Sequence, residues 1–128
     1  MSLAVISPSV IRGTLTPPPS KSAAHRLLIA AALAGEGRVR GLSLSADMEA
    51  TLRAVRGLGV SVRLDGDAAC FAPAPPSSSP SPLPVDCGES GSTLRFLIPL
   101  YAARGIPAVF TGHGRLPERP LGVYADCL

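Results

Sequence analysis

The clearest helical pattern in the chain runs from Lys21 to Ala34, KSAAHRLLIAAALA, with apolar residues at 23, 24, 27, 28, 31 and 32. That spacing predicts a helix with a wide buried face. Ser20 is placed to cap its start, and Gly35 and Gly37 to end it. Upstream, Val10 to Thr16 reads as a short strand stopped by Pro17, Pro18 and Pro19. Downstream, Arg38 to Leu44 alternates like a strand. Ser45 or Asp47 then caps a second helix over Met48 to Gly57, with Met48, Leu52, Val55 and Leu58 near helical spacing. Val60 to Leu64 and Ala68 to Ala72 form an expected hairpin around Asp65-Gly66-Asp67. Residues 73–84 are a Pro/Ser-rich loop.

The pattern then begins again. Ser90 to Leu97 opens a helix that Gly105 ends, Pro107 to Thr111 is a strand, and Pro120 precedes a helix over Leu121 to Leu128. A shift of 70 positions lays Ser20 on Ser90, Ser22 on Ser92, Leu27 on Leu97 and Gly35 on Gly105. The order of elements repeats along with these identities. We expect an α/β fold of repeated units, the first over about 12–72 and part of a second over about 85–128. The second unit stops where its hairpin should follow, so the chain is expected to be a truncated part of a larger protein. Lys21 and Gly91 take equivalent positions, each in the first turn of its unit's first helix. Units packed about one axis aim both helix starts at one face. Free N–H groups and the positive end of the helix dipole make such a face suited to anions.

Composition narrows the partners. The length of 128 residues suits one domain, 46% of it apolar and 16% charged, a globular balance. The net charge of +3 is small and scattered, and there are few aromatic rings for base stacking, so nucleic acid is not expected. No apolar run has the length of a membrane span and no leader pattern opens the chain, so the expected compartment is the cytoplasm, with no membrane association. Cys70, Cys87 and Cys127 are odd in number and lack Cys-x-x-Cys spacing, which argues against a disulfide framework or a zinc site. They are expected to be reduced and mostly buried.

Three segments carry candidate chemistry. In Ser20-Lys21-Ser22-x-x-His25-Arg26, Ser22 and Arg26 share a helix face, with Lys21 and His25 on the adjacent stripe. This helix start offers an ammonium point charge, a hydroxyl, a guanidinium fork and free backbone donors to phosphate or carboxylate. Lys21 is the only lysine in the chain. A solvated, well-capped helix fits the same spacing, and the upstream glycines of a Walker A loop are missing. The second segment runs from Asp86 to Arg95, DCGESGSTLR, where Gly88 and Gly91 let a ligand approach the backbone closely. An ordinary strand-to-helix turn is its alternative. The third, Thr111 to Pro120, places Arg115 and Arg119 on a proline-stiffened turn. His25 and His113 have no third ligand at metal-site spacing.

In order and spacing, PPPSKSAAHRLLIAAALAGEG, LSAD, CGESGSTLRFLIPL and GRLPERPLG resemble the first part of the 5-enolpyruvylshikimate-3-phosphate synthases, over residues from about 12 to 128. The sister family, the UDP-N-acetylglucosamine enolpyruvyl transferases, usually carries a reactive cysteine in the third segment, where this chain has His113, Gly114 and Arg115. The resemblance implies βαβαββ units arranged as an inside-out barrel, helices inside and sheets outside, with three units in each of two lobes. It implies transfer of the enolpyruvyl group of phosphoenolpyruvate to the 5-hydroxyl of shikimate 3-phosphate with release of phosphate. That reaction serves aromatic amino acid biosynthesis and needs no cofactor or metal. Lys21 is then expected to act in catalysis and touch both substrates, Ser22 and Arg26 to hold shikimate 3-phosphate, and Gly91 and Arg119 to border phosphoenolpyruvate. Glu89 departs from the family, which commonly has Asn there. The family's acid–base carboxylates lie in the remaining part of the polypeptide, so that part is the expected partner. The chain alone is expected to be inactive, and residues 1 to about 16 to lack their partner strands. The alternatives are a non-catalytic anion- or substrate-binding remnant of the same fold, or a UDP-N-acetylglucosamine enolpyruvyl transferase.

Overall fold

The computed structural model describes residues 3–5, 7–10, 12–75 and 81–128. Helix α1 spans Lys21–Ala34, and Ser20 caps it by accepting a hydrogen bond from the N–H of Ala23 at 3.3 Å. Strand β1, Gly37–Val39, is followed by α2, Ala46–Ala54, and a 3-10 turn over Val55–Leu58. β2 (Val60–Asp65) and β3 (Ala68–Pro73) form the expected hairpin. Then come β4 (Leu83–Asp86), α3 (Gly91–Ala103), β5 (Ala108–Thr111) and the short α4 (Gly122–Cys127).

Two sheets result. One is antiparallel in the order β1-β3-β2, with Arg38 opposite Cys70 and Val62 opposite Phe71. The other is a parallel pair, β4 with β5, joined across α3. The helices share one core. Ala24, Leu28 and Ala32 of α1 meet Met48 and Leu52 of α2, Leu94, Leu97 and Tyr101 of α3, and Val60, Phe71 and Val85 from the strands.

Several elements differ from the sequence pattern. The alternation at 38–44 yields only three residues of strand, because the chain then bends around the hairpin tip. There Gly41 donates to the Asp67 carboxylate at 3.1 Å and Leu42 to the Asp67 carbonyl at 2.9 Å. Val39 and Leu42 are both buried, and their separation breaks a period of two. The second helix starts at Ala46, not Met48, since Ser45 takes the cap and accepts from Met48 N–H at 3.4 Å. Its last turn tightens to 3-10 where α3 presses on it. A Cβ at Gly57 would run into the Tyr101 hydroxyl and Leu83. Tyr101 in turn donates to the Ala54 carbonyl at 2.7 Å, satisfying an acceptor at the helix end.

The strand expected over 10–16 does not form among the described residues there, which are exposed. The stretch 73–84 is not loop throughout. Pro73 ends β3 and Leu83 begins β4, while residues 76–80 lie outside the described residues. Pro84 fits within β4 because the residues that donate to β5 and its flanks, Leu83 to the Pro107 carbonyl and Cys87 to the Thr111 carbonyl, both at 2.8 Å, are out of phase with it, so its missing N–H costs no bond to that neighbour. The last helix covers Gly122–Cys127, within the expected 121–128. Of the cysteines, Cys87 is buried, Cys70 half-buried and Cys127 exposed, so burial does not extend to Cys127. Among the described residues, no helix is long and apolar enough to cross a membrane.

Candidate functional site

Helices α1, α2 and α3 begin with the same device, a serine whose hydroxyl caps the first turn: Ser20, Ser45 and Ser90. Ser90 accepts from Thr93 N–H at 3.2 Å. Each cap leaves other first-turn N–H groups without an intrahelical partner.

Lys21 opens α1 and extends toward α2, where its ammonium lies 3.6 Å from the Asp47 carboxylate. The pair stays open to solvent, with 64% and 39% of the two side chains exposed, so the contact holds Lys21 in place only weakly. Arg26 folds back over its own helix and donates to the Ser22 carbonyl at 2.9 Å, which bears out the shared face of Ser22 and Arg26. Its guanidinium also sits over the Phe96 ring of α3, 5.2 Å from the centroid.

Gly91, the first residue of α3, and Arg119 come into direct contact: a Cβ at Gly91 would collide with the Arg119 guanidinium. Arg119 reaches this position from a turn closed by Leu116 N–H to His113 carbonyl at 3.2 Å and Arg119 N–H to Leu116 carbonyl at 3.1 Å. Leu116 is buried and anchors the turn. Arg115, Glu118, Arg119 and Pro120 line an open cavity of about 380 Å³. Glu89 lies 3.9 Å from His113, two residues from Gly91. A larger cavity of about 460 Å³, among Arg53, Arg56, Leu83, Asp86 and Tyr101, includes none of the predicted site residues. Its arginines are already engaged, Arg53 with Asp86 at 3.8 Å and Arg56 with the Val62 carbonyl at 3.2 Å.

His25 departs from the sequence reading. The apolar positions had suggested a buried face that includes Ala23 and Leu27, yet both are exposed, and α1 turns Ala24, His25, Leu28, Ile29 and Ala32 inward. The imidazole is drawn inside by a polar partner, with Nδ1 2.8 Å from the Thr51 hydroxyl. Burial lowers its pKa below the ordinary 6.5; Asp47 opposes that shift, and Lys21 and Arg26 add to it. The polar contacts continue beyond Thr51. Its hydroxyl is 2.7 Å from that of Thr93, which donates to Ser90 Oγ at 2.7 Å. His25, Thr51, Thr93 and Ser90 are all buried. Sequence reasoning missed Thr51 and Thr93. The available signal was a hydroxyl on the buried face of each helix, Thr51 three residues after Met48 and Thr93 one before Leu94, where an apolar side chain is the rule.

The structure therefore has Lys21, Ser22 and Arg26 together on α1 and Gly91 and Arg119 together at α3, while Asp47 of α2 meets Lys21 through its carboxylate and Thr93 of α3 through its carbonyl. Cations and free helix-start donors on one surface can hold anionic groups before any chemistry begins. Cys87, beside this turn, is buried, and burial pushes its thiol up to about 11, which disfavours the thiolate that a nucleophile needs.

Comparison with known proteins gives consistent results. A family model for EPSP synthase (3-phosphoshikimate 1-carboxyvinyltransferase) matches residues 5–128. A 3-phosphoshikimate 1-carboxyvinyltransferase from Clostridium kluyveri is 41% identical over 134 aligned positions, covering 98% of this chain and 30% of that protein. One from an Anaeromyxobacter species is 41% identical over 114 positions, covering 87% of this chain and 26% of that protein. Among solved structures, EPSP synthase from Acinetobacter baumannii superposes with a TM-score of 0.65 at 28% identity, covering 89% of this chain and 27% of that one. The chain thus spans less than a third of the length of the curated relatives it matches.

Proposed function

The chain belongs to the EPSP synthase family, and from that premise we propose that it supplies part of the cleft in which the enolpyruvyl group of phosphoenolpyruvate passes to the 5-hydroxyl of shikimate 3-phosphate, with release of phosphate. The observation that carries this reading is that Lys21, on α1 with Ser22 and Arg26, meets Asp47 of α2, whose carbonyl is approached by Thr93 of α3, the helix that Gly91 opens beneath Arg119. Two anionic substrates must lie side by side for an enolpyruvyl transfer, and two adjacent cationic helix starts suit them.

In this proposal Ser22 and Arg26 hold shikimate 3-phosphate, while Gly91 and Arg119 border phosphoenolpyruvate. Lys21 lies between the two and neutralises charge on both. Its partner Asp47 holds it until a substrate replaces that contact. The small space above Gly91 brings the Arg119 fork close to the helix start, so one ligand carboxylate or phosphate oxygen can take both backbone and guanidinium donors. We read the chain as a unit over 12–72 and part of a second over 85–128. The opposing wall and the acid–base carboxylates belong, in this reading, to the remainder of the polypeptide. We read its compartment as the cytoplasm.

The test is Lys21→Met in a polypeptide of the relatives' full length. Lys21 is exposed at a helix start, so the substitution removes charge and leaves the core intact. Phosphate release dependent on both substrates is expected to fall by at least about a hundredfold, the scale of a lost electrostatic stabiliser, with the unfolding midpoint nearly unchanged. Turnover close to that of the unsubstituted protein would overturn the assignment.

A further inference from the structure

Four buried polar side chains join three helices: His25 on α1, Thr51 on α2, and Thr93 with the cap residue Ser90 on α3. Successive contacts are 2.8, 2.7 and 2.7 Å, and no side-chain polar atom in the described core is left without a partner. Apolar residues of equal size would fill this space without demanding a direction, whereas a run of hydroxyl contacts fixes both distance and angle.

The chain of contacts also reaches the charged groups. The Thr51 hydroxyl approaches the Asp47 carbonyl at 3.1 Å and that of Thr93 approaches the same carbonyl at 3.5 Å. The Asp47 carboxylate is the partner of Lys21. Ser90 is the residue before Gly91, and its hydroxyl caps the helix start that Gly91 opens. These contacts connect Thr51 to Asp47, the partner of Lys21, and through Thr93 to Ser90, the residue before Gly91.

We infer that Thr51 and Thr93 are positioning residues that hold the α1 and α3 starts in register, so that the groups assigned to the two substrates keep a fixed separation. This rests on the proposed function for its meaning, but the coupling itself can be read without any ligand.

The experiment compares the 128-residue chain with its Thr51→Val and Thr51→Ser variants. The first readout is amide hydrogen exchange. In T51V the amides of Thr93 and Leu94, which bond to Ser90, are expected to exchange about tenfold faster relative to hairpin amides such as Val62 and Ala69, as loss of a buried hydrogen bond implies. T51S, which keeps the hydroxyl, is expected to restore them. A general loss of stability would speed both sets alike. The second readout is calorimetric affinity for phosphoenolpyruvate and for shikimate 3-phosphate. T51V is expected to weaken phosphoenolpyruvate about tenfold, with recovery in T51S. Equal acceleration of α3 and hairpin amides overturns the inference, as does failure of T51S to rescue. If the unsubstituted chain binds neither compound while α3 exchange still responds to T51V, the coupling stands and the assignment of the substrates falls. Should T51V not fold, Thr51→Ala reads the same coupling without a methyl group against His25.

Discussion

Lys21 and Asp47 face each other with solvent on either side, so neither is locked, and the more constrained residues of the site are those that carry no charge. Gly91 is one. Its missing Cβ is what lets the Arg119 guanidinium rest on the first turn of α3. Gly91→Ala is expected to displace the guanidinium, because the end of a flexible arginine gives way more readily than a helix backbone. Affinity for phosphoenolpyruvate, measured by calorimetry, should then fall by the about 1.5–3 kcal/mol of a charge-assisted contact, with little change in unfolding midpoint. His25 is another. Its pKa is depressed by burial from an ordinary value of 6.5, so the unfolded chain takes up the proton first as pH falls. The stability this gives is fully present above about pH 6.5 and is lost as pH drops through the folded-state value. The urea midpoint is expected to decline as pH falls below about 6.5. His25→Asn, whose amide can still meet Thr51, is expected to flatten that decline, and an unchanged slope would mean that His25 is not its source.

At the scale of elements, the sequence shows most where a local signal decides the structure. The three serine caps, the glycine after α1 and the Asp-Gly-Asp turn are such signals, and α1 and the hairpin lie where they point. It shows least where a partner distant in sequence decides. The alternation at 38–44 is cut short by Asp67, and residues 10–16 have strand composition but form no strand among the described residues. The candidate site divides in the same way. Lys21, Ser22 and Arg26 follow from helix spacing, and the family resemblance pointed to Gly91 and Arg119. The inward turn of His25 required knowing that Thr51, 26 positions later, would meet it. Tyr101 makes the same point at the other end of α2. Its hydroxyl spans 47 positions to the Ala54 carbonyl, and burial raises its pKa to about 12, consistent with a phenol that stays a donor. Tyr101→Phe removes that donor while keeping the ring against Phe110. The loss is expected to be about 1–3 kcal/mol by urea unfolding, because the carbonyl is left in a buried place with no replacement. A loss well under that range would show that water reaches the end of α2.

For the whole molecule, the relation between cationic surface and cleft decides what 128 residues can do. Most of the groups proposed to bind substrate are exposed, with Gly91 buried beneath Arg119. Lys21 is mostly exposed, Arg26 rests on its own helix and on Phe96, and Arg119 borders a cavity open to solvent. Charges in that setting attract anions but are screened over about 8 Å at physiological salt. Enolpyruvyl transfer asks for more, since the two substrates must be enclosed, water excluded and protons moved to and from carbon by groups held against them. Asp47 lies beside Lys21 and Glu89 beside His113, both open to solvent, and no carboxylate among the described residues is held in a dry site where it could act as a general acid. The isolated chain is therefore expected to bind phosphoenolpyruvate and shikimate 3-phosphate weakly, with affinity that fades as salt is raised, and to release no phosphate from the pair. The relatives it matches are more than three times its length, and a polypeptide supplying that remainder as a separate piece is expected to restore some turnover if the two dock. Saturable phosphate release by the highly purified chain alone would overturn this expectation. It would send the search for a general acid back to Asp47, Glu49, Asp86, Glu89 and Glu118, with Asp47→Asn first, because Asp47 alone among them touches Lys21.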